Sequence, residues 1–243
     1  MTVLYRKEIN SFFSGYIGPL IIIIFQLING LILWSELSYF SITENNYASM
    51  DAFFKISPLI FSLFIPAICM RTFSEEYSKG TIEILLTKPI DSYKIVLSKF
   101  LANQTLIIIS LIPSLLYVAT IYYLGEIRGN LDLAGIAGSY IGLFLLTCIF
   151  TSFSVFASSL TNNQIVAFIY GIILCLTLYL GFNLLANINY PNFPNLFIRK
   201  IGIAYHYDIM SKGLIQISDV VYFISITLLF LDYTRNIIIH KRY

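Results

Sequence analysis

Residues 133–198 contain no aspartate, glutamate, lysine or arginine. A helix crosses a hydrocarbon core of roughly 30 Å with about 20 apolar residues at ~1.5 Å each, so this stretch is too long for one crossing. Thr161-Asn162-Asn163-Gln164 is the polar break inside it, and it divides the stretch into spans at 133–160 and 165–186 joined by a bare turn. The whole chain agrees. Of its 243 residues 58% are hydrophobic and 12% charged, against about 25% charged in a soluble domain. That excludes an ordinary soluble protein and a disordered one. Fifteen Lys+Arg against 13 Asp+Glu give a net charge of +2, too balanced for a nucleic-acid binder.

Charge-poor windows elsewhere predict further spans at 17–35, 52–71, 98–124 and 219–239, because a charge at mid-membrane costs about 2.5–3.5 kcal/mol on insertion scales. The first resembles a signal peptide, but no small-residue cleavage site follows and the apolar run continues to Trp34, so it reads as a retained span. Ser218-Asp219 suits the N-cap and acidic first turn of the last span. Asp232 and Arg235 stand i,i+3 within it and can pair. Pro58, Pro66 and Pro113 inside spans imply kinks whose freed carbonyls need partners. Ala134, Gly138 and Gly142, four apart, form a small-residue face that allows close helix contact. Cys69, Cys148 and Cys175 are far apart in apolar runs, giving neither a disulfide framework nor a zinc site.

Six spans put both termini on one side. Placing them in the cytoplasm gives that side Arg6, Lys7, Arg71, Lys79, Lys88, Lys94, Lys99, Arg235, Lys241 and Arg242. The other side then has only Lys55, Arg128, Arg199, Lys200 and Lys212, the asymmetry the positive-inside rule expects. Before the first span, Tyr5, Ile9, Phe12, Phe13 and Tyr16 fall on one helical face, with Arg6, Lys7, Asn10 and Ser14 largely on the other. This reads as an amphipathic helix on the inner membrane surface, ending at Gly15 and Pro19. On the outer side, Tyr205, Ile209 and Lys212 at helical spacing predict short interfacial or re-entrant helices, with His206 at headgroup level.

The stretch from Arg71 to Lys99 concentrates charge between spans two and three. Ser74 is placed to cap a short helix with Glu75 and Glu76 in its first turn, and Gly80 to permit a bend. A second short helix follows at 81–87, ended by Lys88-Pro89, and Asp91 or Ser92 begins span three. Charges mixed with Ile82, Leu85 and Leu86 resemble a docking surface more than a linker. Catalytic groups are missing. There is no HExxH and no plausible Ser/His pair, and Glu75-Glu76, though similar to the paired glutamate of intramembrane prenyl endopeptidases, lacks that pattern's arginine (Gly80 stands there) and its histidines. Ionisable residues at mid-membrane, the mark of a coupled transporter, are absent apart from Asp232. No GxxxxGK[ST] occurs, so any ATP-derived energy must arrive from another subunit.

The run from Arg71 to Ile90 (RTFSEEYSKGTIEILLTKPI), with Lys99-Phe100 at the next span, resembles the motif after the second span of ABC-2-type transporter permeases. The segment from Tyr205 to Phe223 is similar to the external stretch of that family leading into span six. Within it, both motifs and the short length most resemble the gliding-motility-associated permease subunits of the GldF type. Copper- or nitrous-oxide-associated and drug-export permeases share much of the pattern. Asp232 departs from a region usually apolar up to a basic end.

The resemblance implies an all-α integral membrane protein forming one permease domain over 1–243. It would have six transmembrane helices, an N-terminal interfacial amphipathic helix, a cytoplasmic coupling helix between spans 2 and 3, and short external helices before span 6. Two cytoplasmic ABC ATPase subunits would dock on Ser74, Glu75, Glu76, Lys79, Gly80, Thr81, Glu83, Leu85 and Leu86, and a second membrane subunit or a homodimer partner would complete the pathway. The chain itself would be no enzyme and hold no cofactor or metal, with ATP and Mg bound by the ATPase. The setting would be the bacterial inner membrane and the cargo an unidentified substrate. The alternative from another class is a non-transporting membrane scaffold of a motility or secretion complex.

Overall fold

The computed structural model describes the chain except residues 16, 36–48, 88–89, 126–130, 188–194 and 242–243. Tyr16, Lys88, Pro89, Arg128 and Arg242 of the preceding analysis therefore lie outside the described residues, as do the side chains of Leu85 and Leu86. In chain order the helices are α1 (Thr2–Phe13), α2 (Ile17–Trp34), α3 (Asp51–Cys69), α4 (Arg71–Ser78), α5 (Thr81–Leu86) and α6 (Ser92–Leu111). A 3-10 turn (Ile112–Ser114) leads to α7 (Leu115–Leu124), followed by α8 (Leu133–Leu160), α9 (Gln164–Ala186), α10 (Asn195–Ile201), α11 (Ile203–Met210) and α12 (Ile217–His240). No strand occurs among the described residues.

Among the described residues, five helical stretches are long and apolar enough to cross a membrane: Asp51–Ser78, Ser92–Leu124, Leu133–Leu160, Gln164–Ala186 and Ile217–His240. A sixth arises if α1 and α2, bent by 66° about their junction, count as one broken span. Side-chain caps fix several starts. Asp91 accepts from the Tyr93 amide, Asp132 from Gly135 and Asn163 from Ile165. The expected cap at Ser218-Asp219 is displaced: α12 starts earlier, its N-cap is Gln216, and Asp219 lies inside the first turn with its carboxylate turned inward.

α8 is the central helix, packed against α3, α9 and α12 and touching α6, α4 and α11. Its Leu143, Leu146, Ile149, Phe150 and Phe153 are fully buried, with Thr147, Thr151, Ser154 and Ser158 among them. Serines and threonines can sit there because each hydroxyl bonds back to a carbonyl three or four residues earlier or reaches a neighbour. Thr151 donates to Gln104 Oε1 at 2.9 Å while the Gln104 amide donates to Thr147 at 2.8 Å, so one glutamine of α6 is satisfied twice. By contrast the outer faces stay apolar and bare, as with Leu20, Ile23, Leu27 and Leu31 of α2, the pattern expected of helices whose solvent is lipid.

Pro58 and Pro113 stand beside donors from other helices. Pro58 has no amide to offer the Phe54 carbonyl four residues back. The buried Tyr207 hydroxyl of α11 donates to that carbonyl at 2.7 Å. Beside Pro113, where α6 gives way to the 3-10 turn, the Gln26 side chain of α2 donates to the Ser110 carbonyl at 2.6 Å, and Tyr117 donates to the Gln26 carbonyl at 2.9 Å. The core-facing stripe of α11 is Ile203, Ala204, Tyr207 and Met210, and Tyr207 and Met210 are the side chains that meet α3 and α8.

Of the small-residue face on α8, Gly138 and Gly142 lie under the end of α11 and the turn after it. A Cβ on Gly138 would stand 2.8 Å from the Gly213 carbonyl oxygen, and one on Gly142 2.7 Å from Met210 Cβ. Ala134 is exposed and takes no part, while Gly135 does: it approaches Gly213, whose φ is +80°. Gly213→Ala therefore meets a strained backbone and a Gly135 Cα at 2.5 Å. We expect it to lower stability by about 1–3 kcal/mol in detergent melting. Gly181→Ala, whose added methyl meets open space, leaves the melt unchanged or slightly raised.

Candidate functional site

One end of the bundle gathers α1, α4, α5, the start of α6, the α8–α9 turn and the end of α12. Lys241, capping α12, donates to the Ser159 carbonyl at 3.0 Å and lies 3.9 Å from the centre of the Tyr77 ring. The site at this end is an elbow built as an extension of a span. α4 does not begin at a Ser74 cap. It continues α3 with only Met70 between, and Asp51–Ser78 is one 28-residue stretch. Ser74 failed as a cap because a serine hydroxyl inside a helix can return to the carbonyl four residues earlier, and here it donates to Met70.

The junction is stitched from outside. The Ser158 hydroxyl of α8 donates to the Met70 carbonyl at 3.0 Å and accepts from the amides of Phe73 and Ser74 at 3.0 and 3.2 Å. A side chain inserted into the helical ladder at the α3–α4 break is a standard cause of bending.

Lys99, on the second turn of α6, is the residue around which this end is organised. Its side chain is 2% exposed, a state a charge tolerates only when paired. Its ammonium lies 2.9 Å from Glu8 of α1 and 3.0 Å from Glu76 of α4, and donates to the Thr72 carbonyl at 2.8 Å. The Phe73 ring lies 5.1 Å away, within cation–π reach. Asn103, one turn on, donates to the Thr72 hydroxyl at 2.9 Å, and Tyr5 bonds Thr105 at 2.9 Å. Three elements distant in sequence thus share one buried cation.

The candidate docking residues consequently divide. Ser74 is fully buried, and Glu76, 14% exposed at its side chain, faces Lys99. Glu75 pairs with the exposed Lys79 at 2.6 Å, and Gly80, Thr81 and Glu83 are exposed beyond it. Gly80 has φ +66° with open space around it, so its glycine is required by the backbone and not by crowding. Ile82 turns inward at 7% exposure and anchors α5.

The opposite end holds a pair that sequence spacing did not reveal. His206 Nδ1 lies 2.7 Å from Asp219 Oδ1, with Asp219 buried, and Tyr222 stacks on the imidazole at 4.1 Å. The partners are thirteen residues apart, on either side of a turn and within the stretch Tyr205–Phe223. Nearby, burial pushes the Asp208 carboxyl up while Lys212, Arg199 and Lys55 pull it down. Asp232 and Arg235, by contrast, form a loose exposed pair at 3.4 Å.

The sequence profile of the family described as ABC-2 family transporter protein matches residues 10–239. No curated protein matches the chain.

Lys99→Met leaves Glu8 and Glu76 facing each other with no cation at hydrogen-bond distance. We expect it to lower stability by about 3–5 kcal/mol, the cost of breaking a buried pair, read as a large fall in detergent melting temperature. Asp232→Asn, breaking an exposed pair, changes it by less than about 1 kcal/mol.

Proposed function

Because the chain belongs to the ABC-2 transporter family and is a multi-pass membrane permease that works with an ABC ATPase, we propose that the exposed tip of the elbow, formed by Glu75, Lys79, Gly80, Thr81 and Glu83, is where that ATPase engages it. One observation carries this reading: the polar tip is the free end of a helix continuous with α3. A displacement of α5 acts through the Gly80 bend on α4, along α3 into the bundle, and through Glu76 and Lys99 on α6. Through Glu8 it reaches α1 as well. Ser74 and Glu76 then serve as internal braces of the lever, with the contact left to the residues beyond them.

In this reading both termini and the elbow are cytoplasmic, as the lysine and arginine asymmetry supports. A second membrane subunit or a second copy completes the pathway, in the inner membrane. The two motif resemblances support a place in gliding motility.

Two measurements test the reading. Charge reversal at Lys79→Glu with Glu83→Lys reduces ATPase co-purified from membranes by about tenfold, equivalent to ~1.4 kcal/mol, with insertion unchanged. Undiminished co-purification contradicts it. A cysteine at Lys79 is shielded from an impermeant thiol reagent in intact cells and one at Lys212 reacts, whereas the reverse labelling places the elbow on the wrong side for an ATPase. Nucleotide turnover of the co-purified ATPase that is indifferent to the permease favours a scaffold instead.

A further inference from the structure

Between α1 and α4 runs a groove in two lobes of about 250 and about 130 Å³, which share Glu8, Ser11, Arg71, Thr72 and Glu75. Its charged lining comprises the cations Lys7, Arg71, Lys79 and Lys99 against the carboxylates of Glu8, Glu75 and Glu76, an excess of one positive charge. The carboxylates are largely engaged. Glu8 and Glu76 each place one oxygen on Lys99, Glu75 places one on Lys79, and Lys7 stands 3.7 Å from Glu76. Arg71 remains over. Among the described residues its guanidinium makes no hydrogen bond or ion pair, and its Nε is sealed from solvent without a partner. An unpaired guanidinium lining both lobes of a groove that carries one excess cation points to an anionic ligand.

We propose that this groove binds a singly anionic phosphodiester headgroup, of the phosphatidylglycerol class. The phosphate gives Arg71 the acceptor pair that a guanidinium fork matches, and its single negative charge cancels the groove's excess. A zwitterionic headgroup, as in phosphatidylethanolamine, would leave the excess cation uncompensated. The source is lipid and not a soluble phosphate because of where the groove opens. The smaller lobe reaches Phe12 and Gly15, at the bend where the amphipathic α1 meets the apolar α2, and Phe13 is exposed beside it. A headgroup seated there leaves its acyl chains along the bare apolar face of α2, at Leu20, Ile23 and Leu27. Bound in this way, the lipid joins α1 to α4 beside the Lys99 pairs.

The test uses the full chain, delipidated in detergent. Added phosphatidylglycerol raises the melting temperature above that with phosphatidylethanolamine or phosphatidylcholine of the same acyl composition. Lipid mass spectrometry of protein taken from mixed vesicles shows phosphatidylglycerol enriched over their bulk ratio. Arg71→Gln melts like the native chain without lipid, since Arg71 has no protein partner, and loses about tenfold of the enrichment. Arg71→Lys, which keeps the charge and loses the fork, retains part of it. Equal retention of the three lipids overturns the proposal, as does enrichment that survives Arg71→Gln. Displacement of the lipid by glycerol 3-phosphate, at a concentration equal to that of the lipid, overturns its lipid source. Should Arg71→Gln not accumulate, the lipid comparison on the native chain decides alone.

Discussion

A lysine ammonium withdrawn from water at the rim of an apolar bundle must find its counter-charge inside the protein, and at Lys99 that requirement holds one end of the molecule together. The cation sits on α6, its carboxylates come from α1 and α4, and its remaining donor goes to the Thr72 carbonyl. The geometry ties α4 to α6, because separating them takes from the 2%-exposed Lys99 ammonium a carboxylate it pairs with. The elbow is thus an extension of a membrane span whose base is clamped by charge, and Gly80, where φ is +66°, makes the bend beyond it. A lever of that kind suits a chain whose sequence has no GxxxxGK[ST] and that belongs to a family working with a separate ATPase.

The same accounting of polar groups runs through the spans. Three irregularities are met by side chains from elsewhere: Tyr207 on the carbonyl that Pro58 leaves open, Gln26 beside the Pro113 turn, and Ser158 at the α3–α4 break. These contacts join α11 to α3, α2 to α6 and α8 to the elbow, so the weak points of individual helices become the cross-links of the bundle. In a low-dielectric setting such bonds face little competition from water, and they specify which helices are neighbours more sharply than apolar packing does.

What could be read in the sequence follows from range. The spans were legible because a charge-free window is a local property: the stretch 133–198 splits at Thr161–Gln164 much as expected, with α8 at Leu133–Leu160 and α9 at Gln164–Ala186. Gly80 was legible for the same reason, since a bend between charged segments is written in adjacent residues. The Ser74 cap was misread because local signals cannot tell a cap from a back-bonded serine, which depends on whether α3 continues past Met70. Lys99 looked like one more cytoplasmic charge, and its partner Glu8 lies 91 residues away. Glu76 looked like a contact residue for the same cause. His206 and Asp219 both lie in the Tyr205–Phe223 stretch, yet nothing local joins them, since an acidic residue near a helix start has a sufficient explanation of its own.

The buried charge network is tested most directly by a double-mutant cycle on Glu76→Gln and Lys99→Met, with stability measured by reversible denaturation in one detergent. Two groups in contact inside a protein couple by about 0.5–3 kcal/mol, and burial of this pair places the expected value at the upper end, about 2 kcal/mol or more. A coupling near zero, with the two single changes simply additive, contradicts the clamp and leaves the elbow attached to α6 by packing alone.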